Sequence, residues 1–171
     1  MTLAAISRGH WPSLLGAWLH FEVSFMVWLL VGALGIVISE DFQLNPTQKG
    51  LLVAVPLLGG ALLRVVVGPM ADRYGAKRVG LGILWLEVAA LVLGWKAGTS
   101  YLHMLAIGLV LGVAGASFAI ALPIASQAYP RKHQGLAMGI AAVGNSGVLL
   151  ATFFAPRLAE IFGWRGTFGR S

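Results

Sequence analysis

The most constraining feature of this chain is a series of five long runs in which apolar residues follow one another instead of alternating. They lie at about Leu14–Ser39, Gly50–Ala71, Val79–Trp95, Met104–Tyr129 and Gly135–Pro156. A helix needs about 20 mostly apolar residues to cross roughly 30 Å of hydrocarbon. Unbroken hydrophobicity excludes the alternating strands of a membrane barrel. With 58% hydrophobic and only 11% charged residues in 171, the chain holds more apolar surface than one soluble core of that size can hide. The expected fold is all-α, a polytopic membrane helix bundle of about five transmembrane helices. It forms a single membrane domain over residues 1–171, truncated before a sixth helix. That last expectation rests on Phe162-Gly163-Trp164-Arg165-Gly166-Thr167-Phe168, which reads as the approach to a further helix.

The linkers are short and carry the breakers: Glu40 to Pro46, Asp72 to Arg78, Lys96 to Ser100, and Tyr129 to Gln134. Such lengths make successive helices antiparallel neighbours. The N-terminus does not read as a cleaved signal, because the first run is too long and no small-residue cleavage site follows it. With the N-terminus inside, Arg8, Arg73, Lys77, Arg78, Arg131 and Lys132 face the cytoplasm, against Lys49 and Lys96 outside. That asymmetry favours a cytoplasmic N-terminus, although counting Arg157, Arg165 and Arg170 of the tail nearly cancels it. The net charge of +6 does not imply nucleic acid, because the basic residues are scattered singly or in pairs between apolar stretches, as in membrane loops. The absence of cysteine excludes disulfide scaffolding and thiolate metal or redox chemistry. No Ser/His/Asp set shares a layer, no His pair has metal spacing, and no loop is built to cradle phosphate. The sequence therefore points to no catalytic residue, metal or cofactor, and not to an enzyme.

A charge inside the bilayer is costly and needs a reason. Arg64 lies about 10 Å into the second run, and Glu22 and Glu87 about 12 Å into the first and third. Asn145 in the fifth and Phe118 in the fourth lie about 15 Å deep, near the midplane. A polar layer of this kind suits a buried site in a transporter. Arg64 presents a planar fork of donors that matches a planar oxyanion, and Gly60 and Gly68, one turn to either side, leave room beside it. The alternative is an Arg neutralised by Glu22 or Glu87, or one that snorkels to the interface. Those two carboxylates are candidates for proton coupling or for partnering Arg64. His20, on another helix face, reads as interfacial. In the fifth run, Gly135, Gly139, Gly144 and Gly147 imply close helix packing, and their grouping around Asn145 favours a binding role for its amide.

The loop Gly68-Pro-Met-Ala-Asp72-Arg73-Tyr-Gly75-Ala-Lys77-Arg78 closely resembles the cytoplasmic signature between the second and third helices of the major facilitator superfamily, where these positions are gating and structural. Within that superfamily the chain looks like the nitrate/nitrite porter family. The likeness rests on His20-Phe-Glu-Val-Ser-Phe-Met-Val-Trp28, Val55-Pro-Leu-Leu-Gly-Gly-Ala-Leu-Leu-Arg64, Ala114-Gly-Ala-Ser-Phe118 and the Gly/Asn run of the fifth helix. The resemblance implies that Arg64 clamps the planar anion, Phe118 lies against it and Asn145 donates to it. It also implies transport of nitrate or nitrite across the cell inner membrane, by exchange or proton-coupled uptake. A complete member has twelve helices in two six-helix halves, with a second arginine clamp in the second half. On that comparison the chain is an N-terminal portion, inactive alone, whose partners are the anion, the lipid bilayer and the missing C-terminal half. The competing readings are a facilitator for another small anion, such as a carboxylate, and a non-transporting remnant or partner subunit.

Overall fold

The computed structural model describes residues 9–169, so Arg8 and Arg170, which enter the charge count, lie outside the described residues. Eight α-helices follow in order: α1 Trp11–Ala33, α2 Gly35–Asp41, α3 Pro46–Tyr74, α4 Ala76–Ala97, α5 Tyr101–Leu111, α6 Phe118–Gln127, α7 Gln134–Ala142 and α8 Gly147–Gly169. They combine into five helical stretches long and apolar enough to cross a membrane: Trp11–Asp41, Pro46–Tyr74, Ala76–Ala97, Tyr101–Gln127 and Arg131–Phe168. These are spans 1 to 5 below.

The helices begin where the chain supplies caps. Span 2 starts at Pro46, whose missing N–H costs nothing at a first helical position. Asn45 accepts from the Gln48 backbone N–H at 2.9 Å, and the Gln48 side chain accepts from the Asn45 N–H at 3.0 Å, a reciprocal capping box. Ser100 caps span 4 by accepting from the His103 N–H. Between spans 2 and 3 the chain turns on Gly75 at φ +92°, a conformation that favours glycine. The surrounding Asp72, Arg73, Lys77 and Arg78 are exposed; Arg73 lies over the Tyr74 ring, and Asp72 makes no side-chain hydrogen bond or ion pair among the described residues.

Three spans are not continuous α-helix, and span 1 is interrupted at Leu34, between α1 and α2. Span 4 tightens into a 3-10 segment at Gly112–Ser117, and span 5 does so at Val143–Ser146. Each tightened segment adjoins or contains a residue singled out by sequence, Phe118 in one case and Asn145 in the other. Span 5 breaks again at Gly163, φ 73°. The residues beyond it fold back onto the bundle: Trp164 Nε1 donates to Asp41 Oδ2 at 3.0 Å, and the Phe168 ring lies against Gly94 of span 3. The stretch expected to approach a further helix therefore docks on spans 1 and 3.

Span 1 packs against all four other spans. Lipid tails are as apolar as leucine, so helices in a bilayer associate through close fit, and two seams supply it here. Between spans 2 and 4, Pro56, Gly59 and Gly60 meet Gly108 and Gly112; a Cβ on Gly112 would lie 3.0 Å from Gly59 backbone atoms. Between spans 1 and 5, Gly144 and Gly147 lie against the backbone of Trp18, Glu22 and Met26, and a Cβ on Gly147 would come within 2.1 Å of the Glu22 carbonyl oxygen. The other glycines expected at helix contacts behave differently. Gly135 and Gly139 are exposed, and they and Gly68 would place a Cβ in open space, with nothing within 4 Å. Their helix faces point away from the neighbouring spans, so they pack against nothing in the bundle.

Candidate anion-binding site

Arg64 projects from span 2 toward the tightened segment of span 4, and its Nε donates to the Gly115 carbonyl at 2.8 Å. A 3-10 segment leaves backbone carbonyls imperfectly engaged, which makes Gly115 an available acceptor. The guanidinium carbon sits 5.5 Å from the Trp28 ring centroid and 5.6 Å from that of Phe118, both within cation–π range. The group is thus fixed at one nitrogen and flanked by two rings. Its two terminal amino groups have no hydrogen-bond partner among the described residues.

Arg64 borders a cavity of about 350 Å³ that is also lined by Phe21, Phe25, Phe118, Ala142 and Asn145. Phe118 is 42% exposed, Asn145 is exposed, and the Asn145 amide makes no side-chain hydrogen bond among the described residues. Trp28, Phe25, Phe21 and Phe118 form a chain of edge-to-face rings, with centroid separations of 5.0, 4.3 and 5.8 Å in order. Edge-to-face geometry suits the aromatic quadrupole and makes the wall stiff. The combination is a cationic fork and an amide at the edge of an otherwise apolar chamber.

Arg64, Phe118 and Asn145, picked from three different spans, therefore come together. Neither carboxylate joins them, and the expected alternative of Arg64 neutralised by Glu22 or Glu87 is not what the side chains do. Glu22 Oε2 accepts from the Ser146 hydroxyl at 2.7 Å, tying span 1 to the tightened turn that carries Asn145. Glu87 is 2% exposed, and its Oε1 has no hydrogen-bond partner. His20, expected at the interface, has a buried Nε2 and lines a cavity between spans 1, 3 and 4. Among the described residues no group of three or more His, Cys, Asp or Glu could hold a metal ion.

Sequence reasoning missed Trp28. Its indole is wedged between two glycines: a Cβ on Gly60 or on Gly115 would lie 2.8 or 2.5 Å from its ring atoms. Its Nε1 donates to the Pro56 carbonyl at 2.9 Å. Trp28 therefore spaces spans 2 and 4 and backs Arg64 at once. The available signal was the glycine immediately before Ala116 and the glycine one turn before Arg64, which together leave a slot for a large ring.

The family model described as Major Facilitator Superfamily matches residues 17–169. The chain belongs to that superfamily. Among curated proteins this facilitator is 35% identical over 151 residues to the "Probable nitrate/nitrite transporter NarK2" of Mycobacterium tuberculosis, which covers 87% of this chain and 38% of the relative. It is 31% identical over 157 residues to the "Nitrite extrusion protein" of Bacillus subtilis, with the same coverage. It is 34% identical over 140 residues to the "Probable nitrate/nitrite antiporter NarK1" of Thermus thermophilus, covering 82% of this chain and 31% of the relative. The facilitator thus spans about a third of the length of these relatives. Membership and five apolar helices together make it a multi-pass membrane protein.

Proposed function

We propose that the chain is the N-terminal part of a nitrate/nitrite transporter, not an enzyme, and that Arg64 holds the anion. The observation that carries this reading is an arginine in the bundle with no carboxylate partner among the described residues, anchored at Nε, with its terminal amino groups unpaired, at the edge of a cavity. A half-buried cation with no anionic partner inside a membrane bundle is costly, and a bound anion removes that cost. A trigonal planar oxyanion fits the fork through two of its oxygens, and the Asn145 amide is placed to donate to it. The phenyl walls leave few groups to replace a hydration shell, which favours a weakly hydrated anion over a strongly hydrated one.

The names of the relatives support the substrate class, and the one-sided cavity supports a second half-site. Transport would follow from rocking against a second six-helix bundle around the shared site, by exchange or with a proton. Residence in the cell inner membrane with a cytoplasmic N-terminus belongs to the same proposal, resting on the loop charges. In it the Gly68–Arg78 segment, two helix ends that meet at the Gly75 turn, is a gating element on the cytoplasmic side.

The direct test is nitrate binding with Arg64→Lys in the full-length context. A point charge cannot reproduce the bidentate fork, so affinity falls by about 2 kcal/mol or more, roughly thirty-fold. Unchanged affinity would sink the assignment. Formate and acetate competing as well as nitrate would instead favour a carboxylate facilitator.

A further inference from the structure

Among the described residues, buried side-chain polar atoms without a hydrogen-bond partner are His20 Nε2, Ser24 Oγ, Glu87 Oε1, Ser117 Oγ and His133 Nε2. Four of these five belong to spans 1, 3 and 4, and none is used by the anion site. His20 and Ser24 are one turn apart and share a face of span 1. That face differs from the one bearing Phe21 and Phe25, which look toward Arg64. Opposite it on span 3, Gly80 lies against the His20 ring. Two turns further along, Glu87 stands beside Ser24 without closing a hydrogen bond to it.

A cavity of about 400 Å³ leads to this ladder from the end of the bundle that carries the Gly75 turn. Lys77 and His10 lie near its mouth, Ile120 and Ile124 of span 4 form one wall, and His20 borders it. Among the described residues no hydrogen bond or ion pair joins a charged side chain to Glu87. Beyond it, Leu91 faces Leu150, Ala151 and Ala155 of span 5. Glu22 is engaged with Ser146 and Arg64 with Gly115. Glu87 itself is 2% exposed, so its charged form has neither water nor a cation to compensate it. The neutral acid avoids that cost and gains a donor for the unpartnered serine oxygens.

We propose that Glu87 is a proton-binding site, loaded from this cavity by way of His20, behind the anion site. The proton passes from cavity water by way of the His20 ring, is handed on by water along the His20–Ser24 face to a carboxylate oxygen of Glu87, and returns by the same route. Its link to transport rests on the nitrate reading and has a structural basis. Span 3, which carries Glu87, packs against the 3-10 segment whose Gly115 carbonyl holds Arg64, so a change in charge at Glu87 bears on the segment that positions the clamp.

The test is infrared spectroscopy of the purified chain in lipid nanodiscs at pH 7, without nitrate. The expected spectrum contains the carbonyl band of a neutral carboxylic acid, shifted in deuterium oxide, lost in Glu87→Gln and kept in Glu22→Gln. No such band in the wild type, or one that survives Glu87→Gln, overturns the proposal. Should Glu87→Gln fail to fold, a chain carrying Glu22→Gln, Glu40→Gln and Glu160→Gln leaves Glu87 as the sole glutamate and must retain the band. With His20→Leu, deuterium exchange of the band should slow at least ten-fold; an unchanged rate removes His20 from the route. Nitrate binding on the same samples keeps the two readings apart. A Glu87 band, with no nitrate bound either by these samples or by the same chain joined to the C-terminal half of a related transporter, would leave the proton site standing and end the anion assignment.

Discussion

At the scale of residues, the proposed anion site depends on holding one cation still. Arg64 has a long flexible stem, and three contacts remove its freedom: the Gly115 carbonyl and the rings of Trp28 and Phe118. Trp28→Phe keeps an aromatic ring but loses the bond to the Pro56 carbonyl and part of the cation–π contact. The expected cost is about 1–2 kcal/mol in anion affinity, roughly ten-fold, with the helical fold retained. Calorimetric nitrate titration alongside circular dichroism would check it; unchanged affinity would make Trp28 a spacer only. Arg64 was legible in the sequence because a charge in an apolar run admits few roles. Trp28 was not, since a tryptophan in a membrane helix is unremarkable until the glycines of two other spans are seen to enclose it. The pairing of Glu22 was also illegible. Depth placed it level with Arg64, but depth says nothing of azimuth, and its helix face turns it to Ser146.

At the scale of elements, glycine has two opposite meanings in this fold. Gly147 lets the backbones of spans 1 and 5 touch, whereas Gly139 looks into open space. Gly147→Ala must push the two spans apart, with an expected loss of about 1–3 kcal/mol, as in overpacked cores. Gly139→Ala meets no neighbour and gains helix propensity, up to about 1 kcal/mol. Thermal unfolding in detergent should therefore shift down for the first and stay or rise for the second. A fall in both would mean that Gly139 has a contact of its own. Sequence spacing could not separate them, because Gly135, Gly139, Gly144 and Gly147 follow a pattern that assumes one uninterrupted helix. The 3-10 segment at Val143–Ser146 breaks that pattern and rotates the later pair onto span 1. The spans themselves were legible for a simpler reason: bilayer thickness dictates how many apolar residues each must supply.

At the scale of the molecule, the arrangement is a clamp on one side of a cavity that opens past Phe118 and Asn145. The chain spans 38% of the length of its mycobacterial relative. Rocking needs two bodies around one site, and the five spans here pack as one, with span 1 touching all the others. These facts predict the behaviour of two proteins in cells lacking their own nitrate transporters. The 171-residue chain alone should give no uptake above background, while the same chain joined in frame to the C-terminal half of a related transporter should take up nitrate. Arg64→Lys in the fusion should abolish that uptake, which ties the activity to this half and not to the added one. Uptake by the short chain alone would mean that the other half-site comes from a second copy, each Arg64 serving as the other's clamp, or from a resident protein. A cross-link between cysteines introduced at Phe118 and Asn145 of different copies would then distinguish such a pair from help by a resident protein.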